Sequence, residues 1–205
     1  MHLLVSLMSE IVKSIEDLEN IFRKAVLKIL KINEDTQGRV RFPWGSSFSN
    51  DNGSVPIWKR NEDVCMIYAL PQDGSYNRQR DISYIPSNED GFVIRVDEHT
   101  DIHYVMFSNY GNNAYECARA IRDGFYREEI KEYLQLNNIY LVPNVPAIKR
   151  IPELINGQWW NRADFSAVFN EYVRLEEKMK TIEHANVTSI AVIGNGRITN
   201  TKSYY

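Results

Sequence analysis

Three consecutive segments in the second half of the chain constrain the fold most. Residues 110–123 (YGNNAYECARAIRD) have the pattern of a capped helix start, and residues 141–152 (LVPNVPAIKRIP) have that of a strand running into a proline-rich loop. Residues 156–169 (NGQWWNRADFSAVF) place two tryptophans before a long alternation of apolar and polar residues. None of these segments has the features of a reaction centre. Together they indicate a scaffold of sheet and helices with one exposed aromatic loop, which favours assembly over catalysis.

The bulk properties indicate one domain without a strongly basic surface. The chain has 205 residues, a formal net charge of -3 and 43% hydrophobic residues. This length suits a single domain over 1–205 with its core in residues 9–193, and the near-neutral charge is unlike that of a nucleic-acid-binding domain. The only cysteines, Cys65 and Cys117, are expected to be reduced core thiols, so we expect an intracellular environment. The N-terminal run MHLLVSLMSEIV lacks the basic region and cleavage site of a signal peptide, and both Met1 and Met8 stay open as natural starts.

Two amphipathic helices are predicted, over residues 9–33 and 113–136. In the first, apolar residues recur at steps of three and four, with acidic residues early and lysines late, as the helix dipole favours. In the second, Asn113 is expected to cap the helix, and Glu116 three residues later completes a capping box. Gly124 is expected to kink or split this helix.

The strands are predicted from short apolar runs and from alternation. They cover residues 64–70, 80–85, 100–108 and 139–142, with a turn at 88–91. Residues 163–178 fit both a strand and a helix, and periodicity alone leaves the two open. The density of Phe, Val and Tyr favours a strand through Arg174, with residues 181–193 returning as its partner. Residues 194–205 are predicted to be a polar C-terminal tail, either an arm or a disordered segment. The fold class is therefore α+β, with a largely antiparallel sheet, two main helices packed on it, and extended loops and arms.

An aromatic loop is predicted over residues 42–60. It is rich in Gly, Ser, Asn and Pro but also contains Trp44, Phe48 and Trp58. Flexible loops seldom keep so many aromatic residues, so we expect an ordered excursion that docks on a neighbour. Packing of the same residues on their own domain is the alternative.

A second candidate interface is the Trp159-Trp160 pair with Arg162. Tryptophan and arginine are enriched at interface hot spots. Adjacent residues of a strand point to opposite faces, so either one tryptophan is in the core and one at an interface, or both are in the core.

One segment has residue types that bind metals. If it is extended, His99, Asp101 and His103 lie on the same face of a strand, and two histidines with a carboxylate form a known open metal triad. Ligands crowded onto one strand do not easily enclose an ion, so a polar strand end is the preferred interpretation. We expect no catalytic residues, no metal site and no cofactor.

Four of these segments together resemble a known family. They are the helix sequence IEDLENIFRKAVLKIL, the strand end Tyr110-Gly111 followed by NNAY, the strand and loop IYLVP, and the segment NGQWWNRADF. In this order they resemble the tail-terminator or neck-terminator proteins of tailed bacteriophages and related contractile particles. The resemblance covers most of residues 15–193 and rests on pattern and order, not on a catalytic signature.

The resemblance implies a structural virion protein of the tail and neck that has no enzymatic activity. It implies a homo-hexameric ring, assembled in the host cytoplasm, at the head-proximal end of the tail tube. The ring stops tube growth and joins the tail to the neck or connector protein, with the tail sheath as a further candidate partner. DNA passes through the ring without specific binding. In such a ring Lys149 and Arg150 are candidates to face the lumen, and residues 163–174 are a strand. Another head–tail adaptor or tail-completion protein is the alternative, followed by a metal-dependent hydrolase and a nucleic-acid-binding module; phage or tail-like bacteriocin stays open.

Overall fold

The chain forms two compact units in the α+β class that the sequence predicts; the described helices lie in the larger unit, and the strands are mainly antiparallel. The computed structural model describes residues 10–33, 38–43, 58–181, 185–193 and 196–204. The larger unit contains the described parts of 11–80 and 99–173, and the smaller contains the described parts of 81–98 and 174–204 with Glu10. Among the described residues, no helix has both the length and the apolar character needed to cross a membrane.

Capping interactions fix both ends of the first helix, α1 (Ile15–Leu30). The Ser14 hydroxyl accepts from the Asp17 N–H, and the Asp17 carboxylate accepts from the Ser14 N–H, which is a complete capping box. At the other end Lys31 has φ 58° and donates its N–H to carbonyls of the last turn. The predicted start at residue 9 is therefore wrong, because the cap is Ser14 and not Ser9.

The second predicted helix is divided into α3 (Ala114–Gly124) and α4 (Glu128–Gln135), so the expected split at Gly124 is confirmed. A Cβ on Gly124 would lie 2.4 Å from Cγ2 of Ile29, so the missing side chain lets α3 approach α1 closely. The predicted capping box at Asn113 is wrong, because the Asn113 side chain and N–H both donate to Asp63 instead. A single-turn helix, α2 (Ser75–Arg78), was not predicted.

The strands of the larger unit surround the long strand β10. The strands that lie wholly or partly in the larger unit are, in chain order, β1 (Glu10–Ile11), β2 (Val40–Arg41), β3 (Val64–Gln72), β5 (Phe92–Tyr110), β6 (Ile139–Leu141), β7 (Lys149–Arg150), β8 (Glu153–Ile155), β9 (Gln158–Trp160) and β10 (Arg162–Lys180). β2 is parallel to β3, β3 is antiparallel to β5, β5 neighbours β10, and β6 and β7 are antiparallel to β10. β3 continues past its predicted end at Leu70, and β5 begins well before residue 100. Both β5 and β10 contribute residues to the two units.

The main core confirms that residues 163–174 are a strand. In β10, every second residue from Ala163 to Phe169 is buried, which is the period of a strand. Phe165 stacks on Phe107 with 4.8 Å between ring centroids, and Phe169 lies 4.6 Å from Phe22 of α1. α1 and the helices that pack against it, α3 and α4, therefore cover this face of the sheet.

A second, smaller core lies on the other face of the same strands. Its buried members are Trp58, Val64, Met66, Tyr110 and Trp160. Val64 and Met66 alternate along β3 with residues of the main core, so the two clusters are on opposite faces. The Trp58 ring makes edge contacts with Tyr110 and Trp160, at centroid distances of 5.6 and 6.0 Å.

The smaller unit contains β4 (Asp81–Pro86), antiparallel to the first half of β5, and the pair β11 (Ala185–Ile193) and β12 (Gly196–Tyr204). β11 pairs with β12, so the prediction that residues 181–193 return along residues 163–174 is wrong. The polar C-terminal tail forms a strand over most of its length, since nine successive residues of β11 and β12 are paired.

Candidate partner-binding surface

A short β-hairpin formed by β8 and β9 carries the exposed tryptophan. The two strands pair antiparallel with Glu153 opposite Trp160, Leu154 opposite Trp159 and Ile155 opposite Gln158. Asn156 and Gly157 connect them with φ of 48° and 75°. Two consecutive positive φ values are those of a type I′ turn, for which Asn-Gly is the preferred sequence.

The inner face of this hairpin is fixed to the sheet. Trp160 is buried in the smaller core, and Ile155 packs against the same cluster. The Glu153 carboxylate accepts a hydrogen bond from the Tyr110 hydroxyl at 2.8 Å and another from Arg162 Nη1 at 2.9 Å. The hairpin is therefore held by both apolar packing and charge-assisted hydrogen bonds.

Arg162 is the centre of this polar network. Its Nε donates to both carboxylate oxygens of Asp164 at 3.0 Å, and its guanidinium lies over the Tyr110 ring. Desolvation opposes the charged form, but the hydrogen bond to Asp164 and the nearby acidic groups outweigh it and raise the pKa of Arg162. Burial, and then the hydrogen bond to Glu153, raises the pKa of the Tyr110 hydroxyl, which therefore stays a donor.

The outer face of the hairpin is apolar and exposed. Leu154 and Trp159 are 55% and 64% exposed, and because they are directly opposite each other their side chains lie together. We call this pair the hairpin surface. A cleft of about 450 Å³ lies beside Pro152, which precedes β8, and its other lining residues include Tyr115 and Arg150. Tryptophan is one of the residue types enriched at protein-binding hot spots, and here Trp159 is held in a fixed, exposed position beside a polar cleft.

The predicted interface tryptophans have different environments. Trp58 and Trp160 are buried at 4% and 6% exposure, so Trp58 packs on its own domain. Trp159 is exposed. The adjacent pair therefore has one tryptophan in the core, Trp160, and one that points outward, Trp159. Trp44 and Phe48 lie outside the described residues.

Comparison with known proteins identifies the family of this chain. The model of the phage neck terminator protein family matches residues 17–196. The chain belongs to this family. The family is structural and indicates a component of the tail and neck of a bacteriophage virion, as the sequence resemblance predicts. No curated protein matches the chain.

The basic candidates in this neck terminator, Lys149 and Arg150, form the short edge strand β7. They pair through the backbone with Asp164 and Ala163 of β10, and both side chains are exposed. Neither side chain forms a hydrogen bond or an ion pair with another residue in the described ranges. Two adjacent cations are thus available to an anionic partner.

The histidines of the metal hypothesis have separate partners. His99 lies against Arg80, with 2.7 Å between its Nδ1 and Nη1 of Arg80. His103 is buried and its Nε2 forms a 2.8 Å hydrogen bond with Glu171, whose other oxygen lies 3.4 Å from Lys13. Within the described ranges, no group of three or more His, Cys, Asp or Glu side chains is placed to hold a metal ion.

Several other titratable groups are buried or half-buried in the neck terminator. Desolvation raises the pKa of Glu19, although its carboxylate accepts the Ala69 N–H at 3.4 Å. Desolvation also raises the pKa of both free thiols: Cys65 is buried as expected, and Cys117 is half-buried. Thiols that stay protonated are poor nucleophiles, which agrees with a structural role for both.

The residue that sequence analysis missed is Leu154. Its exposure and its position opposite Trp159 depend on the hairpin register. The signal was present in the dipeptide Asn156-Gly157 between ELI and QWW, which is a strong indication of a two-residue hairpin.

Proposed function

We propose that this protein is a tail terminator that forms a ring on the head-proximal end of the phage tail tube. The ring stops tube polymerisation and joins the tail to the neck or connector protein. The observation that carries the proposal is the family match over residues 17–196. An alternative position in the stack, as another head–tail adaptor or tail-completion protein, is an outcome of the test below.

The hairpin surface is proposed as a contact with another protein of the assembly. Exposed tryptophans lose little side-chain entropy on binding and bury a large apolar area, so they dominate interface energetics. Leu154 and Trp159 are held outward because the inner face of their hairpin is bound to Tyr110, Arg162 and the smaller core. Such a preorganised pair avoids the cost of ordering a loop when the partner binds.

Lys149 and Arg150 are proposed to face the lumen of the ring. Contacts with phosphates drive non-specific DNA affinity, and each additional cation strengthens it. Two cations per subunit on a chain with a net charge of -3 would guide DNA without holding it tightly. Passage of DNA without specific binding follows from this balance.

The proposed partners are other copies of the chain in a homo-hexamer, the tail tube protein, the neck or connector protein and, in a contractile particle, the tail sheath. The protein is proposed to assemble in the host cytoplasm and to act without a cofactor or a catalytic step. A homo-oligomeric ring needs a head-to-tail interface with rotational closure.

The test is native mass spectrometry of the purified protein, alone and with tail tube protein, together with tube lengths measured by electron microscopy. We expect hexamers alone, or monomers that assemble on the tube end, and in both cases tubes that stop growing. Trp159→Ala is expected to weaken assembly or capping by one to two orders of magnitude in apparent affinity, as for a hot-spot residue. Tyr76→Ala is the matched control, because Tyr76 is a similarly exposed aromatic residue outside the hairpin.

If the protein assembles but leaves tube growth unchanged, it belongs to another layer of the head–tail junction. A protein that neither assembles nor binds the tube would contradict the terminator function. Equal effects of Trp159→Ala and Tyr76→Ala would remove the hairpin surface from the interface while leaving the function intact.

A further inference from the structure

The strand β4 has an open edge in the smaller unit. It pairs with β5 from Asp81 opposite Glu98 to Pro86 opposite Val93, and all six residues are exposed. In the part of the chain that the structure describes, no strand pairs with its other edge. Alternate residues of an antiparallel strand direct their N–H and C=O groups to opposite edges, so half of these groups face outward.

The middle of this edge lacks the usual protection against strand addition, and Asp81 and Pro86 stand at its two ends. Natural edge strands are interrupted by Lys, Pro or bulges that prevent pairing with another chain. Between Ile82 and Ile85 the sequence is Ile-Ser-Tyr-Ile, with no charge, proline or glycine. Ile82, Tyr84 and Ile85 are 50%, 61% and 38% exposed. The edge is therefore chemically suited to accept a strand.

The same unit contains a hairpin that lacks a third strand. β11 and β12 pair over nine residues, from Ala185 opposite Tyr204 to Ile193 opposite Gly196, and within the described residues they join no other strand. A two-stranded hairpin alone is at best marginally stable in water, and a third strand is normally needed. The hairpin β11–β12 therefore has a physical reason to add to an open edge elsewhere.

The charges of the two elements are complementary. Residues 80–91, which include β4 and the turn after it, contain three acidic residues, Asp81, Glu89 and Asp90, and one basic residue, Arg80. Glu89 is already paired with Lys178. β11 and β12 contain Arg197 and Lys202 and no Asp or Glu. The excess of acidic residues near this edge is small, and it favours approach of the basic hairpin over approach of a second β4 edge.

We propose that the hairpin β11–β12 of one copy adds to the open edge of β4 in a neighbouring copy and continues its sheet across the interface. The occupant is another copy because, within one chain, the hairpin forms a separate two-stranded sheet. Main-chain hydrogen bonds provide the affinity, and the charges set which edge is chosen. Donor and acceptor are different surfaces, so the interface is head-to-tail and builds rings if the rotation closes. The inference rests on the proposed function only in taking a ring as the assembled state.

The test uses two full-length variants that each remove one side of the interface. The acceptor variant carries Ile82→Lys and Tyr84→Lys, which add two positive charges where the basic hairpin would bind. The donor variant carries Ile190→Pro and Thr199→Pro, at two residues that are paired in the hairpin. The matched control carries Tyr76→Lys and Leu136→Lys, since both residues are highly exposed outside β4 and the hairpin. Circular dichroism and thermal unfolding verify that each variant is folded.

Native mass spectrometry, with tail tube protein present if the wild type needs it to assemble, should then give oligomers for the wild type and the control, and no oligomers of either variant by itself. The decisive sample is the equimolar mixture of the two variants. The donor variant keeps an intact β4 and the acceptor variant keeps an intact hairpin, so the mixture should form one-to-one dimers that grow no further. Hydrogen exchange should slow in β4 of the donor variant and in the hairpin of the acceptor variant when they are mixed.

Two results would overturn the proposal: variants that assemble like the wild type, or a mixture that stays monomeric. A wild type that is monomeric both alone and with tail tube protein would overturn it too. These outcomes are separable from those of the proposed function. If the variants still cap tubes, the protein is a terminator that does not use this interface. If the oligomers depend on β4 but do not stop tube growth, the interface is correct and the terminator function is not.

Discussion

Replacement of Trp160 by alanine is expected to destabilise the protein strongly. The side chain is 6% exposed and packs in the smaller core, where Trp58 lies 6.0 Å away in an edge contact. Truncation of a buried tryptophan to alanine typically costs about 3–5 kcal/mol, because apolar contact is lost and a cavity is left. For a chain of this length each kcal/mol lowers Tm by roughly 2–4 °C, so the expected decrease is about 6–20 °C.

The assay is thermal and urea unfolding of Trp160→Ala beside Trp159→Ala. The two residues are adjacent and chemically identical, but Trp159 is 64% exposed, so its truncation should change the free energy of unfolding by no more than about 0.5 kcal/mol. The near-UV circular dichroism of Trp160→Ala should also lose the signal of the packed indoles. Equal destabilisation by the two variants, or a larger effect at Trp159, would refute the assignment of one tryptophan to the core and one to the surface.

Three further predictions concern stability and its pH dependence. Gly124→Ala should lower the free energy of unfolding by about 1–3 kcal/mol, because its Cβ would meet the stiff Ile29 side chain at 2.4 Å. If this contact is the cause, the double variant with Ile29→Ala should lose less stability than the two single variants together. Glu19→Gln should raise Tm at pH 7, because burial raises the folded-state pKa of Glu19 and the native state therefore loses stability as pH rises through that pKa. The gain in Tm should vanish in acid, where Glu19 is protonated, and a gain that does not depend on pH would contradict burial of the charge as its cause. His103→Leu should cost about 2–4 kcal/mol in urea unfolding, because Glu171 stays buried with Lys13 as its remaining partner and the oxygen that faces His103 loses its hydrogen bond. The double variant with Glu171→Leu should recover part of that loss, and an additive double variant would contradict the pairing.

Local sequence predicted the secondary structure best where one period dominated. The apolar stripe of α1 was clear, but periodicity did not locate its first residue, and the predicted start at residue 9 was wrong. The structure chooses Ser14 because its hydroxyl and the Asp17 carboxylate satisfy each other's backbone N–H groups. For residues 163–174 the helical and strand periods competed, and burial of alternate residues against the helices makes the segment a strand.

Strand partners could not be predicted in the same way. The pattern of residues 181–193 indicated a strand, and the choice of partner was wrong, since β12 and not β10 pairs with it. The sequence of β12 gave little signal, because its mostly polar residues show no clear alternation of apolar and polar positions. The hairpin β8–β9, by contrast, was predictable from Asn156-Gly157, whose left-handed φ values suit the turn.

By itself, the sequence determined the α+β class, the amphipathic helices, most of the strands and the phage terminator family, because these follow from local periodicity and from the order of segments. Only the tertiary structure decided which tryptophan of the pair is buried and that Leu154 is the neighbour of Trp159. It also decided that β4 and the hairpin β11–β12 each keep an open edge within the described chain. Side-chain burial and strand pairing depend on contacts between residues far apart in the sequence, and no local pattern encodes those contacts.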